Sequence, residues 1–200
     1  MAAVGAVVGL GLVVLIVTYY FSPRYTDVGY APDQPVPYSH KLHAGLLGFD
    51  CRYCHQKVED GPHATVPPTE TCLNCHAANR VKGDSVALAP VRNSGVTGDP
   101  VPWIKVHMLP DYVYFDHSIH IKSGVGCVSC HGRIDQMEIV RQAEPLSMSW
   151  CLECHMNPEP NLRPVSEVTN MAYVHDPKVA EAIMKERKIE PPTHCGACHR

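Results

Sequence analysis

Short α-helices joined by loops, behind one membrane-spanning helix and around a core completed by something other than side chains: this fold class is predicted by three observations. The N-terminus is an uncharged apolar run, the composition is rich in proline and poor in aromatics, and every cysteine belongs to one repeated pattern. The chain has 200 residues, with 18 Pro and 14 Gly but only 3 Phe and 2 Trp. Proline at nearly twice its usual share shortens helices and strands, which disfavours a large sheet. So few large aromatic side chains leave the interior of a small protein short of filling. The charge balance, 17 Lys+Arg against 20 Asp+Glu, contains no basic run able to track a phosphate backbone, which excludes nucleic acid as a partner.

Residues 2–21 read AAVGAVVGLGLVVLIVTYYF, without a charge. As a helix this run spans about 30 Å, the thickness of a bilayer's hydrocarbon core. It is longer than the apolar part of a signal peptide, has no basic segment before it, and closes on Tyr19, Tyr20 and Phe21, residues suited to the membrane interface. An uncleaved single-pass anchor over residues 1–22 is expected, then a polar linker over 23–35. Gly5 and Gly9 form a G-x-x-x-G pair through which another membrane helix could approach.

All ten cysteines lie in five copies of C-x-x-C-H: Cys51-Arg-Tyr-Cys54-His55, Cys72-Leu-Asn-Cys75-His76, Cys127-Val-Ser-Cys130-His131, Cys151-Leu-Glu-Cys154-His155 and Cys195-Gly-Ala-Cys198-His199. This is the attachment signature of c-type haem. The two cysteines reach the vinyl groups of one porphyrin, and the adjacent histidine falls under the iron as proximal ligand. A disulfide scaffold, zinc sites or iron-sulfur sites would not need a histidine after every second cysteine. Five covalently bound haem c groups are therefore expected, with His55, His76, His131, His155 and His199 as proximal ligands. The fold class becomes that of a multihaem cytochrome c, cytochrome c3/c7-like. Haem is attached outside the cytoplasmic membrane, so the haem-bearing part is expected on the periplasmic side of the inner membrane.

The chain also repeats itself. Tyr38-Ser-His40-Lys-Leu-His43 precedes Cys51 as Phe115-Asp-His117-Ser-Ile-His120 precedes Cys127. The repeat divides the chain into a di-haem module over 36–90, a turn-rich linker over 91–102, a second di-haem module over 103–160, and a segment over 161–200 carrying the fifth haem. In that segment Asp176 is expected to cap, and Pro177 to start, a helix ended before Pro191-Pro192. His40, His43, His117 and His120, repeated in both modules, are expected as distal ligands of four irons. His107 is expected as the fifth, with His175, His63, Met148 and Met171 behind it; His194 abuts its own haem motif.

Two protein ligands on each iron leave no open coordination position, so the chain is expected to move electrons and not to catalyse a reaction by itself. Ligation by two histidines favours the lower potentials suited to accepting electrons from a quinol or an iron-sulfur centre.

Several long stretches carry a further likeness. Gln34-Pro-Val-Pro-Tyr-Ser-His40, Asp50-Cys-Arg-Tyr-Cys-His55, Val106-His-Met-Leu-Pro-Asp-Tyr-Val-Tyr-Phe-Asp-His117, Gly124-Val-Gly-Cys-Val-Ser-Cys-His-Gly132 and Ala143-Glu-Pro-Leu-Ser-Met-Ser-Trp-Cys151 resemble the pentahaem cytochrome c subunit of alternative complex III, a bacterial quinol:electron-acceptor oxidoreductase. The resemblance implies a place beside an iron-sulfur subunit similar to molybdopterin enzymes, polytopic quinol-binding membrane subunits and a mono-haem cytochrome c. Electrons would pass from the iron-sulfur clusters through five haems to a periplasmic cytochrome c or terminal oxidase. The rival is a stand-alone membrane-anchored multihaem quinol dehydrogenase feeding a periplasmic reductase. Residues 22–36, which hold no haem motif, set the first haem back from the bilayer and speak for the relay.

Overall fold

The computed structural model describes residues 2–199. The apolar run forms α1, Ala2–Tyr20, with no residue of it buried. Among the described residues it is the one helix long and apolar enough to cross a membrane. Its last turn meets the short α2, Pro23–Thr26, where the ring of Tyr25 lies 4.2 Å from that of Tyr19. Tyr20 completes the aromatic cluster, edge-on to Tyr19 at 5.3 Å. Amphipathic rings gathered at one end of an apolar helix match the headgroup depth of a bilayer. Immediately afterwards the chain is clamped by two backbone hydrogen bonds, Gly29 N–H to Gln142 O and Gln142 N–H to Tyr30 O. Gly29 has φ +90°, a conformation glycine adopts without cost.

Beyond α1 the described helices are short, none longer than 11 residues. They are α3 (Cys51–Cys54), α4 (Thr69–His76), α5 (Ala89–Thr97), α6 (His117–Ser123), α7 (Val128–His131), α8 (Met148–Met156) and α9 (Pro177–Arg187). Several begin as the sequence dictates. Asp50, Asp116, Ser147 and Asp176 cap α3, α6, α8 and α9 by accepting a backbone N–H two or three residues on. The described residues contain two isolated β-bridges, Val113 with His199 and Val125 with Leu162.

The stretch expected as a turn-rich linker is partly helical. Pro90 sits in the first turn of α5, where its missing N–H costs no bond, and Gly98 closes the helix in the left-handed conformation at φ +80°. Packing holds it: Val91 is buried, the hydroxyls of Ser94 and Thr69 are 2.6 Å apart, and Gly95 lets α5 approach Leu73 of α4. Proline and glycine, read as punctuation, were serving as start and stop signals.

Side chains alone make little core. The buried hydrophobic residues are Val36, Val91, Ile121, Met137, Leu162, Val168 and Ala180. This set is far too small to offset the conformational entropy of a chain this long.

The two H-x-x-H segments dock reciprocally. Lys41, directly after His40, donates its N–H to Met137 O at 3.0 Å, and Ser118, directly after His117, donates to Gly61 O at 3.2 Å. The two carbonyls are equivalent, since each stands six residues beyond a proximal histidine, His131 and His55. Each repeat thus holds the other's turn.

Candidate haem-binding sites

The sites grow from the repeated turn. In the first copy Tyr38 stacks on His43 at 4.4 Å between ring centres and meets His40 edge-on at 4.8 Å. In the second, Phe115 stacks on His120 at 4.5 Å and meets His117 edge-on at 4.8 Å. One aromatic wedge therefore orients both imidazoles of each pair. The sequence repeat contained these wedges, and their role became visible only in three dimensions.

Six imidazoles share a hydrogen-bonding habit. Nδ1 of His43, His55, His76, His117, His120 and His155 donates to the carbonyls of Ser39, Thr65, Val81, Pro62, Asp116 and Pro192, at 2.6 to 2.8 Å. A carbonyl can only accept, so the proton is on Nδ1 and the lone pair on Nε2. Metal-binding histidines are oriented in this way, and the bond makes Nε2 a better donor to a metal. Burial also favours neutral imidazole: it lowers His40 to about 4 and His131 to about 3, and moves His107, His117 and His120 downward.

Ring spacings add a second test. The centres of His43 and His76 are 6.2 Å apart, and those of His120 and His155 are 6.1 Å apart. Two imidazoles on opposite faces of one iron stand roughly 6 Å apart, given a metal–nitrogen bond of about 2 Å on each side. The equivalent residues of the two repeats give equivalent spacings. His117 lies 6.5 Å from His131, and His40 lies near enough to His55 to feel its charge. His107 packs edge-on against His131 at 4.5 Å, with its Nε2 buried and without a hydrogen bond. The fifth motif lies elsewhere: Tyr114 N–H bonds Cys198 O, and the ring of Tyr112 is 5.9 Å from His199.

The reserve histidines are differently occupied. Nε2 of His175 is 2.9 Å from a carboxylate oxygen of Glu159, while His63 and His194 are exposed. Met148 is also exposed, at 66%, and Met171 is half-buried.

None of the ten cysteines forms a disulfide. Their neighbours string the motifs into a line. Cys72 lies near Cys54, Cys51 touches Cys127, Cys130 lies near Cys151 and Cys154, and Cys151 lies near Cys198. Numbered along the chain, the motifs therefore neighbour one another in the order 2, 1, 3, 4, 5. Paired thiols, Nε2 atoms directed away from their carbonyl partners, suitable ring spacings and a sparse side-chain core all fit covalent haem.

Comparison with known proteins agrees with this chemistry. Residues 113–200 match the family described as cytochrome c7 and related cytochrome c. The fold is therefore helical and cytochrome c7-like over the matched residues, with one N-terminal apolar helix. More particularly, the chain is similar to the multihaem cytochrome c subunit of menaquinone reductase from Nitratidesulfovibrio vulgaris, at 33% identity over 123 residues. That match covers 61% of this chain and 56% of the relative, so the chain spans little more than half of that curated protein.

Proposed function

We propose that this chain is the membrane-anchored electron-transfer subunit of a menaquinone-linked respiratory complex, carrying electrons singly along five haems on the periplasmic side. The likeness to the menaquinone reductase subunit carries the quinone-linked part of this reading. It favours direct coupling to the quinone pool over the iron-sulfur relay that the sequence motifs suggested first. The line of neighbouring motifs supports a wire, because electron transfer needs closely spaced centres and no open coordination site.

The haems supply the one-electron steps when bound; this chain's residues hold and tune them. The cysteine pairs tether the porphyrins, His55, His76, His131, His155 and His199 serve as proximal ligands, and His40, His43, His117 and His120 as distal ones. His107 supplies the fifth distal ligand: its Nε2 is buried and makes no hydrogen bond. Replacing His107 by Ala is expected to turn one of five haems high-spin and able to bind carbon monoxide. Five low-spin haems in that variant, read by electron paramagnetic resonance, would remove His107 from the ligand set.

A second reading, the relay subunit of an alternative complex III, is favoured by the stretches around His40, Cys51, His107 and Cys151. Purification from native membranes in mild detergent, followed by stopped-flow mixing with menaquinol or, after reduction, with menaquinone, separates the possibilities. Haem oxidation by menaquinone supports the quinone-reducing role. Haem reduction by menaquinol only in the presence of a large iron-sulfur subunit supports the relay. Reduction by menaquinol with the chain alone makes it a stand-alone quinol dehydrogenase, and no exchange with either quinone species overturns the quinone-linked reading.

A further inference from the structure

Arg163 has no part in the ligand scheme, yet it is built into the interior beside one motif. Its residue is 6% exposed, its Nε makes no hydrogen bond, and its Nη1 donates to Asn170 O at 3.1 Å. The guanidinium lies over the ring of Tyr173, 4.9 Å from its centre. The nearest influential carboxylate, that of Glu167, instead accepts from the Asn170 amide at 2.7 Å. No salt bridge pairs Arg163 among the described residues.

Its position is fixed against the strand of chain that enters the third haem motif. Arg163 N–H bonds Gly124 O at 2.9 Å, the Val125–Leu162 bridge holds the register, and Cys127 N–H bonds Val168 O. Gly126 is buried, and a Cβ there would collide with the guanidinium. The charge therefore occupies space that the absence of a side chain at Gly126 leaves open, one residue before Cys127. At the same motif, Nδ1 of His131 makes no hydrogen bond, unlike Nδ1 of the proximal His55, His76 and His155.

We propose that Arg163 is a positioning residue for charge, holding the haem tethered at Cys127 and Cys130 as the highest-potential centre of the wire. Reduction adds an electron and lowers the net charge at the iron by one. A buried cation without a carboxylate partner favours that reduced state, all the more in a medium of low dielectric. An imidazole with an unbonded Nδ1 donates less electron density to the iron, which acts in the same direction. The middle of the line 2, 1, 3, 4, 5 is thereby an electron sink, from which transfer towards either end runs uphill.

The inference rests on the haem reading proposed above and is independent of the quinone. Its test is a potentiometric titration of the full detergent-solubilised protein, wild type against Arg163→Gln, Arg163→Lys and Gly126→Ala, with haem content counted by pyridine haemochrome. Arg163→Gln is expected to lower the highest of the resolved potentials and leave the others in place. Arg163→Lys should keep most of it, and Gly126→Ala, which displaces the guanidinium without removing it, should lower the same component part-way. Five haems with unchanged potentials in Arg163→Gln, an equal fall in Arg163→Lys, or a shift confined to a lower-potential component would each overturn the proposal. Absence of covalent haem from the wild type would instead sink the haem reading itself. If Arg163→Gln fails to assemble, Gly126→Ala decides alone, by whether the top component falls.

Discussion

Expressed in a host without haem attachment, or with all five C-x-x-C-H motifs changed to A-x-x-A-H, the part beyond α1 is expected to lose its fold altogether. The measurement is far-UV circular dichroism with limited proteolysis. The helices that hold motifs, α3, α4, α7 and α8, have no fully buried residue of their own, and His131 of α7 is shielded by other histidines and not by an apolar core. Four- to nine-residue helices are far too short to persist in water without packing partners. Phe49 and Tyr53 stack on each other at 5.5 Å yet remain 40% and 44% exposed, as expected of a wall whose other half is a macrocycle. A haem-free chain that kept a native-like spectrum and resisted protease would show that side chains suffice, and would contradict the sparse core.

Deleting residues 2–20 should move the cytochrome quantitatively from the membrane to the soluble fraction, provided a cleavable secretion signal replaces them. Haem content should stay the same. α1 makes few contacts with the remainder beyond the tyrosine cluster at its foot, so its loss removes membrane affinity and little else. Fractionation and the Soret absorbance per chain check both halves of this statement. Retention on membranes would mean that another surface or partner holds the protein there.

Legibility in the sequence divides along a physical line. Chemistry that needs neighbouring residues was readable: the cysteine pairs with their histidine, the N-cap at Asp176, and the apolar run of α1. Arrangements between distant residues were not. Nothing in the order of residues says that motif 2 neighbours motif 1 on one side while motif 3 neighbours it on the other. The packing of His107 against His131 depends on two loops meeting, and a lone histidine carries no mark of it. Arg163 was silent for the same reason, as its counterpart in the sequence is only a glycine at position 126. The helix α5 was obscured by composition, since Pro90, Gly95 and Gly98 have local roles as start, contact and stop that frequency alone cannot separate.

The crossed bonds from Lys41 to Met137 and from Ser118 to Gly61 bear on how the protein is made. The chain is synthesised from its N-terminus onward, so His40 is made long before the carbonyl that secures its turn. The turn at His40 cannot take its final bond until residues 131–137 have followed. Folding of the first repeat therefore has a built-in waiting step, completed only when the second repeat is in place.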